Sequence, residues 1–236
     1  MKIEINNLVK AFQGNEVLNI PHLLFETNQI IGFIGNNGSG KTTLFKLMLD
    51  LLKADNGQVT IEGEDISCSN QWKEHTGSYL SENFLIDFLY PEEYFEFIKE
   101  AYRMSKTDFE LSLRNFEPLM HGEILHKRKL IQAHSKGNKQ KIGIIGSMLS
   151  HPNILILDEP FNFLDPSSQM ILKELLLSHA QTYNATILLS SHDIKQAMDI
   201  CSRIIVMDNG HVLYDEPTNS QVIETKITAH FMPDRR

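Results

Sequence analysis

Apolar residues recur along this chain in two rhythms, and the switch between them divides it. Near the start, Ile3-Glu4-Ile5 and Val17-Leu18-Asn19-Ile20 read as short strands, with Gln13-Gly14-Asn15 as a turn between them. Residues 29–34 are apolar on both faces of a strand, which predicts burial in a sheet. Residues 43–52 then space their apolar side chains as a helix does. Asp55-Asn56-Gly57-Gln58 predicts a turn, and Val59-Thr60-Ile61 another short strand. From about Glu82 the β-branched runs stop, and charged and aromatic residues alternate at helical spacing, as in residues 91–100. After His134 the first texture returns. Residues 153–157 and 185–189 predict buried parallel strands, and residues 204–214 predict a hairpin turning at Asn209-Gly210.

The chain of 236 residues is long enough for one substantial core with a small appended lobe. Its pattern predicts one domain over 1–236, with an α/β core in 1–81 and 134–236 and a helical insert in 82–133. A net charge of −8 argues against a nucleic-acid partner, which would need a basic face to neutralise phosphates. Two cysteines, Cys68 and Cys201, lie far apart, as ordinary thiols in a reducing cytosol would. The first residues lack the layout of a secretory signal, and no apolar run approaches the roughly 20 residues that cross a bilayer. A soluble, cytoplasmic chain is expected, reaching a membrane only through a partner.

The chemistry starts where the strand at 29–34 ends. Gly35-Asn36-Asn37-Gly38-Ser39-Gly40-Lys41-Thr42 is a G-x-x-x-x-G-K-[ST] loop between a predicted strand and a predicted helix. Its glycines let the backbone approach phosphate oxygens, and its N–H groups with the helix start form an anion site. Lys41 adds a cation for the β- and γ-phosphates, and Thr42 offers a hydroxyl to Mg²⁺. ATP and Mg²⁺ are the expected ligands. A second element, the strand ending in Asp158-Glu159, delivers two carboxylates from an apolar run. Buried charge is costly unless paired or bound to metal. Beside a phosphate loop, Asp158 suits Mg²⁺ and Glu159 suits proton abstraction from water. Ser190-Ser191-His192-Asp193 ends another buried strand and aims His192 at the same region. Finally, His134-Ser135-Lys136-Gly137-Asn138-Lys139-Gln140 opens a helix, and Ser135 with Gly137 makes a second candidate phosphate site.

Taken in this order, the pieces resemble the ATP-binding subunits of ABC transporters over nearly the whole chain. The resemblance implies a P-loop NTPase core with a mostly parallel sheet, an N-terminal antiparallel β subdomain and an inserted α-helical subdomain. It implies that Phe12 stacks on adenine, that Gly35 to Thr43 cradle the phosphates, and that Glu82 falls where a glutamine usually touches Mg²⁺ and the attacking water. Asp158 takes the place of the Mg²⁺-site aspartate, Glu159 that of the general base, and His192 that of the switch histidine. Ser135 and Gly137 match the signature that contacts the γ-phosphate of a partner subunit's ATP. The implied partners are a second ATP-binding subunit, identical or different, and a polytopic membrane permease that holds the chain on the inner face of the cell membrane.

Three positions depart from that family's pattern. His134-Ser135-Lys136-Gly137-Asn138 stands for the usual Leu-Ser-Gly-Gly-Gln, and Ser-Lys-Gly-x-x-Gln variants resemble those of antibiotic, bacteriocin or sodium exporters, which points to export. Glu82 puts a carboxylate where a neutral amide is usual, and Phe163 enlarges a loop that usually carries a small residue. A soluble ATPase of the same superfamily and a non-transport regulator are the competing readings.

Overall fold

The computed structural model describes residues 1–219 and shows two sheets with helices around them. The expectation that the core runs on to residue 236 lies, beyond 219, outside the described residues. The first sheet is antiparallel, in the order β2-β1-β4-β5: β1 (Ile3–Phe12), β2 (Asn15–Phe25), β4 (Asn56–Ile61) and β5 (Glu64–Asp65). β1 and β2 are longer than the short runs the sequence offered. They join through Gln13 and Gly14 with φ of 51° and 83°, the twist that a two-residue hairpin turn needs. Ile3 pairs Phe25 and Ile5 pairs Leu23, so one face of the hairpin is buried.

The second sheet runs β10-β9-β3-β8-β7-β6 and is parallel except at β10. Its strands are β3 (Ile30–Ile34), β6 (Thr76–Tyr79), β7 (Ile154–Leu157), β8 (Thr186–Ser191), β9 (Arg203–Asp208) and β10 (His211–Pro217). Every residue of β3, β7 and β8 is buried, as the apolar runs at their centres require. α1 (Lys41–Met48) follows β3 and packs with the antiparallel sheet on one side. The rings of Phe33 and Phe45 meet edge to face at 5.3 Å there. α1 ends before residue 52, because Asp50 turns left-handed at φ 52°.

On the other side lie α5 (Lys136–Met148) and α6 (Pro166–Tyr183). Against them packs the inserted lobe of α2 (Pro91–Ala101), α3 (Lys106–Asn115) and α4 (Glu117–Met120). The lobe is less helical than its sequence texture predicts, since residues 121–130 form turns and irregular chain. α7 (Ile194–Met198) closes the series. Among the described residues no helix is long and apolar enough to cross a membrane. All four strand ends that carry chemistry, at residues 34, 79, 157 and 191, sit at the carboxyl edge of the parallel sheet, where α/β proteins place their ligands.

Candidate active site

The loop after β3 folds around its own lysine. Lys41 is 6% exposed, and its Nζ donates to the carbonyls of Gly35 at 2.6 Å and Asn36 at 3.1 Å. Burial pulls the ammonium below its ordinary range, and the charges of Glu159 and Asp158 act in the opposite sense. Gly40 caps α1 at φ 103°, a conformation that L side chains avoid. A Cβ on Gly35 would lie 2.4 Å from the Met207 carbonyl and 2.4 Å from Ser39 Oγ, so only glycine fits. The loop is anchored from behind, since the Gly210 N–H donates to the Ser39 carbonyl at 3.0 Å. That leaves the first N–H groups of α1 at an open helix start, where the dipole favours an anion.

The carboxylates arrive from β7. Asp158 is 8% exposed, and Oδ2 accepts the Thr42 hydroxyl at 2.6 Å while Oδ1 accepts the Ser190 hydroxyl. Loop and strand, 116 positions apart, therefore meet directly. Glu159 stands at φ 48°. Its N–H donates to Ser190 Oγ at 2.8 Å, and its carbonyl accepts from Gln140 Nε2 at 3.0 Å. Its Oε2 accepts from His192 Nδ1 at 2.9 Å, which fixes that ring nitrogen as the protonated one while the carboxylate is ionised.

A cleft of about 270 Å³ lies over this arrangement, lined by Phe12, Val17, residues 37–43, Asp158 and Glu159. Phe12, 47% exposed, stands at the cleft as an open aromatic face, with Lys10 Nζ 5.5 Å from its ring centroid. Gly35 and Asn36 are not lining residues; their carbonyls hold Lys41 instead. Glu82 does not line this cleft either. It lines an adjoining one that shares Asp158 and Glu159, and it pairs with Lys139 Nζ at 3.2 Å.

Ser135 and Gly137 take no part in the phosphate-loop cleft of their own chain. Ser135 caps α5 by accepting the Asn138 N–H at 3.2 Å. Gly137 lies against the loop after β7, where a Cβ would sit 2.6 Å from the Phe163 carbonyl. Phe163 is 64% exposed, and Lys136 Nζ is 5.3 Å from its ring centroid, so two of the departures from the family pattern touch each other. Gln140 and Ser190 fall inside motifs the sequence displays, but the sequence assigns neither a role; they are the two side chains that hold the Glu159 backbone. A polar residue within a sheet end or a helix gives no sign of its partner.

The donor set fits Mg-ATP. Among the described residues no cluster of three or more His, Cys, Asp or Glu could cage a metal. Thr42 and Asp158 offer one hydroxyl and one carboxylate, which suits a cation that keeps its waters and shares phosphate oxygens.

The ABC transporter family profile matches residues 18–162, more than half of the chain. An uncharacterized ABC transporter ATP-binding protein of Synechocystis sp., sll0415, is 30% identical over 203 residues, 85% of this chain. The chain spans only 56% of that relative's length. The sulfate/thiosulfate import ATP-binding protein CysA of Rhodopseudomonas palustris is 29% identical, over 94% of this chain and 67% of that protein. The lipopolysaccharide export system ATP-binding protein LptB of Haemophilus influenzae is 28% identical, over 88% of this chain and 87% of that protein. A solved ATP-binding subunit of an ABC transporter superposes with a TM-score of 0.84 at 24% identity, covering 98% of this chain and all of that one, and so shares the fold. The chain belongs to the ABC transporter family, as one of its ATP-binding proteins.

Proposed function

We propose that this chain binds and hydrolyses Mg-ATP as the motor subunit of a membrane transporter. The observation that carries this reading is the 2.6 Å bond from Thr42 to Asp158, which unites the phosphate loop with the strand-end carboxylate. Lys41 and the N–H groups at the start of α1 bind the β- and γ-phosphates, and Phe12 stacks on the adenine. Thr42 and Asp158 hold Mg²⁺, which when bound neutralises charge on the phosphate oxygens. Glu159 takes the proton of the attacking water. His192 keeps the Glu159 carboxylate oriented through the 2.9 Å bond. Glu82 faces the carboxylates from the adjoining cleft and orients the attacking water and Mg²⁺ from that side.

The site of one chain is half a site. Because Ser135 and Gly137 lie away from their own cleft, they serve the γ-phosphate of a second ATP-binding subunit, and ATP joins the two. A polytopic permease holds the pair at the cytoplasmic face of the membrane and receives the movement through the helical lobe. Relatives named for import and for export share this core, so the core does not set direction. The export direction rests on the Ser135-Lys136-Gly137 variant and is decided by following cargo in vesicles that contain the permease. Glu159→Gln tests the two-chain site: light scattering should show a dimer that requires ATP. A protein that stays monomeric at saturating Mg-ATP would overturn it.

A further inference from the structure

We infer that Gln140 is a positioning residue for Glu159, tying its backbone to the helix that carries Ser135. The inference rests on the reading of Glu159 as the general base.

Glu159 is held at φ 48°, in the left-handed region. A residue with a Cβ is strained there and stays only where its surroundings impose it. Two side chains impose it here, one on each side of the residue. Ser190, from the end of β8, accepts the Glu159 N–H at 2.8 Å. Gln140, from α5, donates Nε2–H to the Glu159 carbonyl at 3.0 Å. The Gln140 amide is itself fixed, because it is 6% exposed and its Oε1 accepts the Tyr79 hydroxyl at 3.1 Å. Burial raises the Tyr79 pKa, so that hydroxyl remains a proton donor. A carbonyl can only accept, so the amide cannot be reversed without losing the bond to Glu159.

The consequence is mechanical. Ser135 caps the helix in which Gln140 sits little more than one turn further on. A shift of α5 when the signature engages a phosphate reaches the Glu159 peptide through one hydrogen bond, with no loop between. The direction of the Glu159 carboxylate, and so its aim at water, follows the position of the signature in the same chain. An error of about 1 Å in such aim costs on the order of a hundredfold in rate.

Gln140→Met keeps the volume and removes the donor, and Gln140→Glu also keeps an acceptor for Tyr79. Steady-state ATPase assays should show kcat reduced by about tenfold to a hundredfold in both, with KM for ATP within about twofold of native. Tyr79→Phe, which leaves the donor in place, should lose far less. In a Glu159→Gln background, Gln140→Glu should lower the residual turnover no further, whereas a structural role would lower it again. Native kcat in Gln140→Glu, a rise in KM that accounts for the loss, or an added loss in the Glu159→Gln background would each overturn the inference. If Glu159→Gln alone turns over at the native rate, the general-base reading has failed; if it is inactive beside a native Gln140→Glu, only this inference has.

Discussion

Lys139 Nζ lies 3.2 Å from the Glu82 carboxylate, so the acidic residue that replaces the usual amide comes with its own cation. Lys139 is on α5, one position before Gln140, and its side chain is 20% exposed against 40% for Glu82. Glu82 lines a cleft that Asp158 and Glu159 also line. Without the ammonium, three carboxylates would share that space with an incoming phosphate.

Lys139→Met should therefore slow hydrolysis more than it destabilises the fold. A half-exposed pair contributes less than about 1 kcal/mol to stability. Turnover should fall by up to about tenfold, because an uncompensated charge beside the γ-phosphate acts on the reaction itself. Glu82→Gln in the same protein should restore it. ATPase rates of the two single variants and the double variant check this, and additive losses would refute the pairing.

Thr42→Val should raise the Mg²⁺ concentration needed for half-maximal activity, whereas Thr42→Ser should behave nearly as native. The valine also deprives buried Asp158 of one of its two hydroxyl donors, at a cost of roughly 1–3 kcal/mol. Magnesium titration of the ATPase and thermal unfolding separate the two effects.

Lys41→Met should weaken ATP binding by about tenfold to a hundredfold, the worth of one charge-assisted contact of roughly 1.5–3 kcal/mol. Calorimetric titration reads it directly. Unchanged affinity would argue against the phosphate-loop assignment.

Stability should decline as the solution is acidified below neutrality, through His179. This ring is 5% exposed, bonds the Pro152 carbonyl at 2.9 Å, and is held neutral by burial, which lowers its pKa from 6.5. His151, stacked 4.3 Å from Tyr183, is shifted the same way by burial. The unfolded chain takes up these protons first as pH falls through about 6.5, so acid favours unfolding. His179→Gln should flatten the slope of Tm between about pH 7.5 and about pH 5.5.

The sequence made much of this fold legible, for physical reasons. Strands β3, β7 and β8 are buried on both faces, and each shows as an apolar run, in β8 over residues 187–189. The turn at Gln13-Gly14 carries its conformation in its residue types. β6 escaped notice because Thr76-Gly77-Ser78-Tyr79 has no apolar run; it is a strand because its edge pairs with β7. α6 was also missed, although Asp165-Pro166 is a helix-start signal and Asp165 does accept the Ser168 N–H at 3.0 Å. Within the site, Lys41, Thr42, Asp158 and Glu159 announce themselves by type and order. The hold of Gln140 and Ser190 on Glu159 is a matter of distance between elements, which no spacing rule records.

Activation of water by Glu159 in a Mg-ATP site is read from the steady-state ATPase rate of Glu159→Gln set beside that of the native chain. ATP affinity should be kept and turnover should fall by on the order of a hundredfold or more, as general-base removal does. A Glu159→Gln protein that hydrolyses ATP at the native rate would contradict it.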